Sequence, residues 1–471
     1  MKGLHSSFDG IRSIHLLGIG GAGMSGLAIL LKELGFLVSG CDMNHTSYVD
    51  KILKEGIAFE LGHGKDHIAR FKPDLIVYSS AIPHENAELE AAKALKVPTA
   101  KRGEVLSWIF DMKIGIGVAG THGKTTTSSM IGMIFEHAGL NPTLAIGGEV
   151  CDIGVNAKLG SGEFMVAELD ESDGSFERFH PSISVVTNAD WDHVNQYPSF
   201  ESVLEAFGRY LGNVKKGGCA ILCGEDRGLS RLIELGQTDC SVVTYGWGGE
   251  WDWGASNVVH LQGGGVTFTV THNGRSDEHM ELSVSGDHNI MNALAARIVA
   301  YNAGIPFNIV KSTLKEFKGA KRRLQLTGIF NDILIYDDYG HHPREITATL
   351  SALKQMFPQR KIVTVFQPHR FTRTAALYKD FAESLSICDE VLLLPIYPAD
   401  EEPVRGISSR LIADARPYSS SKWTMCESMD NAVEYLHRIT EPGSVVLTIG
   451  AGDVVTIGEK FLEDSLCLLP Q

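Results

Sequence analysis

The chain has 471 residues, room for about three domains at roughly 150 residues each. A hydrophobic fraction of 44% and a charged fraction of 21% argue against global disorder and against a fibrous repeat. With 42 Lys and Arg against 57 Asp and Glu, the net charge is −15, which disfavours a general nucleic-acid binder and requires any anionic substrate to be held by locally concentrated donors. The chain opens with a predicted apolar strand at 14–17, a glycine-rich turn and a helical stretch over 24–34. Further strands are expected at 36–42, 74–80 and 97–102. Short apolar strands alternating with helices predict a parallel sheet over a first domain, 1–112.

A second domain is expected over 113–323. A short buried strand at 114–119 meets a glycine loop, then a helix running to about His137, where Gly139 and Pro142 act as stop signals. Residues 164–169 and 183–188 read as two more buried strands. Val266 to Val270 alternate with period two and Asn273-Gly274 supplies a hairpin turn, so a small antiparallel sheet is expected beside the main one. The Gly- and Trp-rich stretch 246–254 reads as an exposed connection. A third domain, 324–471, has predicted strands at 333–338, 361–367, 390–395 and 444–449, followed by polar clusters such as Tyr339-Gly340-His341-His342 and His369-Arg370. Ligands bind beyond the carboxyl ends of parallel strands, so this domain is expected to be functional. The predicted class is α/β with three domains: Rossmann-like at each end, and a P-loop ATPase-type unit with a small antiparallel sheet between them.

Eight scattered cysteines, with only Cys219 and Cys223 close together, read as reduced thiols. Residues 1–10 lack a signal pattern. Residues 13–31 are uncharged but interrupted by five glycines and His15, a poor membrane span. A cytoplasmic protein without membrane insertion is expected.

Gly120-Thr121-His122-Gly123-Lys124-Thr125-Thr126 lies between a predicted strand and a helix. Glycines let backbone N–H groups approach phosphate oxygens, and the helix N-terminus favours an anion. Lys124 would neutralise β and γ oxygens, and the Thr125 hydroxyl would bind Mg²⁺. The usual pattern has four residues between the glycines and this one has two, so it is a shortened P-loop. Near the N-terminus, Gly18-Ile19-Gly20-Gly21-Ala22-Gly23 fits the dinucleotide fingerprint, followed by Met24, with Asp42 ending the next strand. The pattern reports a diphosphate near a helix N-terminus without distinguishing NAD from another diphosphate. Ser79 and Ser80 would line the same crevice. An exposed strand-end carboxylate is the alternative for Asp42.

Glu168, Asp170, Glu171 and Asp173 close the strand beside the P-loop, where a carboxylate suits Mg²⁺; helix capping or solvation is the alternative for some. His193, in 187–193, shares that crevice and reads as a ligand. Asn289 and Asn292 are three apart, on one helix face, and two carboxamides can pair with an adenine edge.

Together these clusters resemble the Mur ligases of peptidoglycan synthesis, in order along essentially the whole chain. The anchors are GIGGAGMSG at 18–26, GTHGKTTT at 120–127, AELDESD at 167–173, TNADWDH at 187–193, GDHNIMNA at 286–293, DDYGHHP at 337–343 and QPHRFTRT at 367–374. The resemblance implies a uridine-diphosphate sugar at the first glycine loop and ATP at the central loop. Thr125 and Glu168 would ligate one Mg²⁺ (or Mn²⁺) and His193 a second. Asn289 and Asn292 would hold adenine, Arg323 the phosphates and Asp338 the ribose. Tyr339 and His341 would line the reaction centre. Arg370 and Arg373 would take the incoming amino acid's carboxylate, as Arg forks match carboxylates. Lys124, Glu168, His193 and His341 are the expected catalytic groups. The alanine-adding branch is favoured by Tyr339-Gly340, which implies UDP-N-acetylmuramate and L-alanine as substrates. A branch adding a whole tripeptide is the alternative. Several members carry a carbamoylated lysine after the His motif, but 200–210 contains no lysine, so a second metal site would be built otherwise.

Two other classes compete. A nicotinamide-dependent oxidoreductase would explain the first glycine loop but not the P-loop, the Asn pair or the Arg pair. A regulatory ATPase would bind nucleotide without forming an amide.

Overall fold

In the computed structural model, which describes residues 10–83, 85–148, 151, 154, 156–192, 196–236, 240–399, 401–417 and 421–467, the strands form sheets of five, ten and six. The first is parallel throughout, as the alternating pattern predicted. Ser13–Leu17 lies centrally, with Leu37–Asp42 then Ala58–Leu61 on one side, and Leu75–Tyr78 then Thr99–Lys101 on the other. Ala58–Leu61 escaped the sequence analysis. It is an edge strand with no fully buried residue, so no apolar run marks it.

Alternation divides the first sheet's side chains between two faces. Ile14 and Leu16 join the helices Ala22–Glu33 and Arg102–Asp111 in a core continuous with that of the central sheet. Leu17 and Cys41 face the other way, toward Ile68 and Ala92. The continuity depends on small residues. A Cβ on Gly115 would collide with the Phe110 ring, so glycine lets this fully buried ring lie against the first strand of the central sheet. Asn156 Nδ2 also donates to Ala22 O at 2.8 Å, tying the Ala22–Glu33 helix to the central unit.

The central sheet runs, in spatial order, Ala157–Lys158, Thr143–Ala145, Phe164–Glu168, Ile114–Ala119, Ile183–Val186, Cys219–Cys223, Ser241–Trp247, Trp253–His260, Val266–His272 and Arg275–Leu282. The predicted hairpin is present, but it continues the main sheet through Trp253–His260 instead of forming a separate piece. The 246–254 stretch also differs from an exposed connection. Two strands enter it, and Trp253 is 2% exposed, stacked on His272 at 3.7 Å. Trp251 lies where Cβ atoms on Gly224 and Gly246 would be, so these glycines make room for an indole.

In the third sheet Gln325–Phe330 pairs antiparallel with Ile333–Asp338. Val445–Ile449, Ile362–Phe366, Glu390–Leu393 and Lys422–Met425 follow in parallel. Carboxyl ends of parallel strands from all three sheets open on shared cavities. Among the described residues no helix is long and apolar enough to cross a membrane, and Cys41, Cys151, Cys219, Cys223, Cys240, Cys388 and Cys426 are free thiols.

Candidate active site

The strand Ile114–Ala119 runs into the phosphate loop, and the helix Lys124–His137 leaves it. Gly120 (φ +125°) and Gly123 (φ +83°) take conformations that L side chains rarely adopt. A Cβ on Gly120 would strike Thr187 Oγ1, and one on Gly123 would lie 2.7 Å from Asn292 Oδ1. The 187–190 segment braces the loop: Thr187 Oγ1 and Asn188 Nδ2 donate to His122 O at 2.5 and 3.0 Å, and Asn188 Oδ1 accepts from His122 N at 2.8 Å. Gly120→Ala is therefore expected to deform the loop and abolish nucleotide binding, at a stability cost of about 1–3 kcal/mol. Calorimetric titration with a non-hydrolysable ATP analogue checks this; wild-type affinity in the variant would contradict it.

Lys124 folds back on its own loop. Its Nζ donates to Gly120 O at 2.6 Å, Thr121 O at 3.1 Å and Glu171 Oε2 at 2.7 Å. Burial opposes its charge, but Glu171 and Asp170 outweigh burial and raise its pKa. Burial pushes Glu171 up to about 7 against the pull of Lys124. Glu171 thus holds the lysine where a phosphate would otherwise take it. Thr125 and Glu168 border one turn: a Cβ on Gly147 would meet Glu168 Oε1 at 2.5 Å, and one on Gly148 would meet Thr125 Cγ2 at 3.0 Å. Both also line one cleft, and a hydroxyl and a carboxylate are the hard oxygen donors that Mg²⁺ prefers, so these residue types fit that ion. His193 lies outside the described residues.

Beside the loop is a cavity of about 300 Å³. Asn289 and Asn292 line it from the helix Asp287–Asn302, with Asn292 Nδ2 donating to Asn289 Oδ1 at 3.2 Å. Gly123, Thr125 and Thr126 form its loop side, and Arg323 and Asp338 enter from the domain junction. Asp338 accepts from Leu324 N and Gly340 N, both at 2.7 Å, and burial pushes it up to about 6.

A larger cleft of about 1140 Å³ joins all three units. Gly21, Ala22, Gly23, Met24, Ser79 and Ser80 line it from the first; Thr121, His122, Lys124, Thr125 and Glu168 from the second; Tyr339, His341, Arg370 and Arg373 from the third. Gly18, Gly20 and Asp42 stand behind this lining. Asp42 accepts from Gly20 N at 2.9 Å and Asn44 N at 3.0 Å, so its carboxylate braces the glycine loop.

The two arginines differ. Arg370 lines the cleft with no side-chain hydrogen bond among the described residues. Arg373 is buried against Asp192 of the central unit, with Nε and Nη2 donating to Oδ1 at 3.0 and 2.9 Å and Nη2 to Oδ2 at 3.0 Å. Arg373 was expected to hold an incoming carboxylate; here a carboxylate of the protein occupies its fork. Burial lowers His341 to about 3, so its imidazole is neutral near pH 7.

Sequence reasoning passed over Glu345. Its Oε2 accepts from His341 N at 2.9 Å and His342 N at 3.2 Å, while Oε1 lies 3.4 Å from both His122 Nδ1 and Arg323 Nη1. One carboxylate therefore joins the phosphate loop, the junction arginine and the third unit. Its signal was available: it is the third residue of a helix that begins with Pro343, where an acid reaches back to the cap amides. Burial would lower His122, but Asp190 and Glu345 outweigh it and hold the ring at about 9. Arg102, which also lines the cleft, was likewise passed over.

A phosphate loop, a nucleotide cavity and a cleft shared by three α/β units define an ATP-dependent ligase, and the chain belongs to the Mur ligase family. Residues 13–113 match the Mur ligase family catalytic domain, 118–300 the Mur ligase middle domain and 322–452 the Mur ligase glutamate ligase domain. The chain is 40% identical over 454 residues to the UDP-N-acetylmuramate–L-alanine ligase of Geobacter sulfurreducens, covering 96% of this chain and 97% of that one. It is 39% identical to the enzyme of the same name from Aquifex aeolicus, over 96% and 98% of the two chains. The crystal structure of the UDP-N-acetylmuramate–alanine ligase of Thermotoga maritima superposes with a TM-score of 0.81 at 29% identity, covering 97% and 99%. A murein peptide ligase of Psychrobacter arcticus superposes at 0.73 with 25% identity, covering 98% and 100%.

Proposed function

We propose that this enzyme joins L-alanine to the lactyl carboxylate of UDP-N-acetylmuramate at the expense of ATP. The observation that carries this reading is the single cleft from the first glycine loop, past Lys124 and Glu168, to Arg370. One substrate can thus span two units while another enters from the third. The relatives at about 40% identity carry the alanine-ligase name, which favours this branch over tripeptide addition. The substrates, ATP and a sugar nucleotide, place the reaction in the cytoplasm.

A carboxylate is a poor electrophile, so it must first be activated. A lactyl oxygen attacks the γ-phosphorus in line, the bond to the β-phosphate oxygen breaks, and ADP leaves. The alanine nitrogen then attacks the acyl carbon and loses a proton. The tetrahedral intermediate collapses, expelling phosphate and leaving an amide. Positioning and charge neutralisation are the main demands. Lys124 exchanges Glu171 for the β and γ oxygens, and the loop amides hold the chain of phosphates. Thr125 and Glu168 would hold Mg²⁺, and His193 is the proposed ligand of a second ion; bound there, the metal would supply further charge neutralisation. Asn289 and Asn292 face adenine, Asp338 the ribose and Arg323 the phosphates. The loop at Gly21–Met24, with Ser79 and Ser80, receives the uridine diphosphate. Tyr339 and neutral His341 border the acyl centre, where His341 serves as a hydrogen-bond acceptor for the amine. Arg370 offers its free fork to the alanine carboxylate. The third unit, tied across the loop by Glu345, excludes water from an acyl phosphate that hydrolyses readily.

The test is ADP release with each substrate omitted, together with mass spectrometry of product from a mixture of alanine, serine and glycine. ADP appearing equally fast without the sugar nucleotide would refute the ligase reading. A pH effect is also expected. His122 is cationic below about 9 and adds charge beside the phosphates. Raised above its ordinary value, its charge is fully present at neutral pH and is lost as pH rises through about 9. ATP binding should weaken about three- to tenfold across that step, and His122→Gln should flatten the profile. Fluorescence titration of a nucleotide analogue between pH 7 and 10 checks both.

A further inference from the structure

The helices Asp66–Phe71 and Ala87–Leu95 cover the face of the first sheet turned away from the central unit, and that face holds a set of metal-binding side chains. His15 from the central strand, Cys41 from its neighbour, His67 and Glu88 from the two helices are all buried. One ligand atom from each lies within 4.8 Å of all the others. We propose that these four residues form a binding site for one transition-metal ion of the Zn²⁺ class, separate from the catalytic cleft.

The distances fit a small tetrahedral ion. Cys41 Sγ and His67 Nδ1 each lie 3.1 Å from Glu88 Oε1, and His15 Nε2 lies 3.2 Å from Glu88 Oε2. A tetrahedral zinc with ligand bonds of about 2.0–2.3 Å sets its ligands about 3.3–3.8 Å apart; the contacts to Glu88 would open by a few tenths of an ångström, and the remaining pairs, all within 4.8 Å, would settle around the ion. The donor set of two imidazoles, a thiol and a carboxylate is one that zinc uses and that Mg²⁺ does not.

His15 Nε2 faces Glu88 Oε2 at 3.2 Å, with both side chains fully buried. On the far side of the ring, His15 Nδ1 is 2.8 Å from Ser39 Oγ. Without an ion, Ser39 can donate to Nδ1 and Nε2–H to Glu88; the tautomer that gives the Nδ1 proton to Ser39 frees the Nε2 lone pair for a metal, and a hydrogen bond on the outer nitrogen is how metal-binding imidazoles are oriented. Phe71 stacks on the His15 ring at 5.0 Å and supplies an apolar wall. His63, 3.1 Å from Cys41 Sγ and with 13% of its side chain exposed, stands at the mouth.

On binding, the metal–sulfur bond replaces the S–H bond and the proton leaves to solvent. The ion would then clamp two strands and two helices. Cys41 O accepts from Gly18 N at 2.9 Å and Ile19 N at 3.1 Å, so the clamp continues directly into the first glycine loop. None of the four lines the cleft, so their effect on it would be positional.

The full chain, stripped with a chelator and kept free of nucleotide, is titrated with Co²⁺. About one equivalent should give tetrahedral visible bands and a near-ultraviolet thiolate-to-cobalt band. Cys41→Ser should lose the thiolate band, while Cys223→Ser, whose sulfur lies by the nucleotide cavity, should keep it. Zn²⁺ should raise the melting temperature of the stripped wild-type chain and not that of Glu88→Gln. Absence of the thiolate band in the wild-type chain would overturn the site, whatever the variants do. So would a band that survives Cys41→Ser. None of these readouts depends on ligase activity, so failure here leaves the proposed reaction standing.

Discussion

Replacing Lys124 with alanine should lower product formation by about 10³-fold or more, with kcat carrying the loss. The Lys124 ammonium is half-buried at the head of the phosphate loop, held by two loop carbonyls and Glu171. These partners place it ready for a transferring phosphoryl group, and no other ammonium is held in this loop among the described residues. An interaction that strengthens as charge moves to the leaving oxygens is one whose loss appears in kcat. The substitution also takes the compensating ammonium away from the buried Glu171. Lys124→Ala combined with Glu171→Gln should therefore recover folding stability without recovering synthesis. Single-turnover assays beside denaturant melts separate the two effects; synthesis restored in the double variant would contradict this role.

Arg373→Ala should lower kcat/KM for all three substrates together, by about 10²-fold or more. The Arg373–Asp192 pair is buried on both sides, at 7% and 6% side-chain exposure, and joins the third unit to the central one. Removing one partner of a buried pair costs about 3–5 kcal/mol, since the other charge is left without compensation. Here the cost falls on the docking of one unit against another. Arg370→Ala should differ in kind: the KM for the amino acid rises about 30-fold or more while the KM for ATP stays put, as expected for a charged fork contacting one ligand. Steady-state kinetics with each substrate varied distinguishes these patterns. An Arg373 variant that raised only the amino acid's KM would restore the carboxylate-binding role expected from sequence.

Much of the site was legible because its chemistry is local in sequence. A strand, two glycines, a lysine and a helix must fold into a phosphate loop, and Asn289 and Asn292 fall on one helix face by spacing alone. The illegible parts join distant segments. Arg373 and Asp192 are 181 residues apart, and nothing in either motif says that one will occupy the other. Asp42 ends its strand where the fingerprint places an acid, but only the fold shows that it also braces its own glycine loop through the amides of Gly20 and Asn44. The set His15, Cys41, His67 and Glu88 comes from four elements with no common spacing. Tryptophans among the glycines at 246–254 suggested a loop, since only the fold reveals which glycines stand under an indole.

The most direct test of the central claim follows oxygen from substrate to product. UDP-N-acetylmuramate labelled with ¹⁸O in its lactyl carboxylate is incubated with ATP, Mg²⁺ and L-alanine, and the released phosphate is weighed by mass spectrometry. Transfer of the γ-phosphoryl group to that carboxylate predicts one ¹⁸O in each phosphate formed with the amide. Unlabelled phosphate accompanying amide formation would contradict the acyl-phosphate route, and with it the roles assigned to the loop and the cleft.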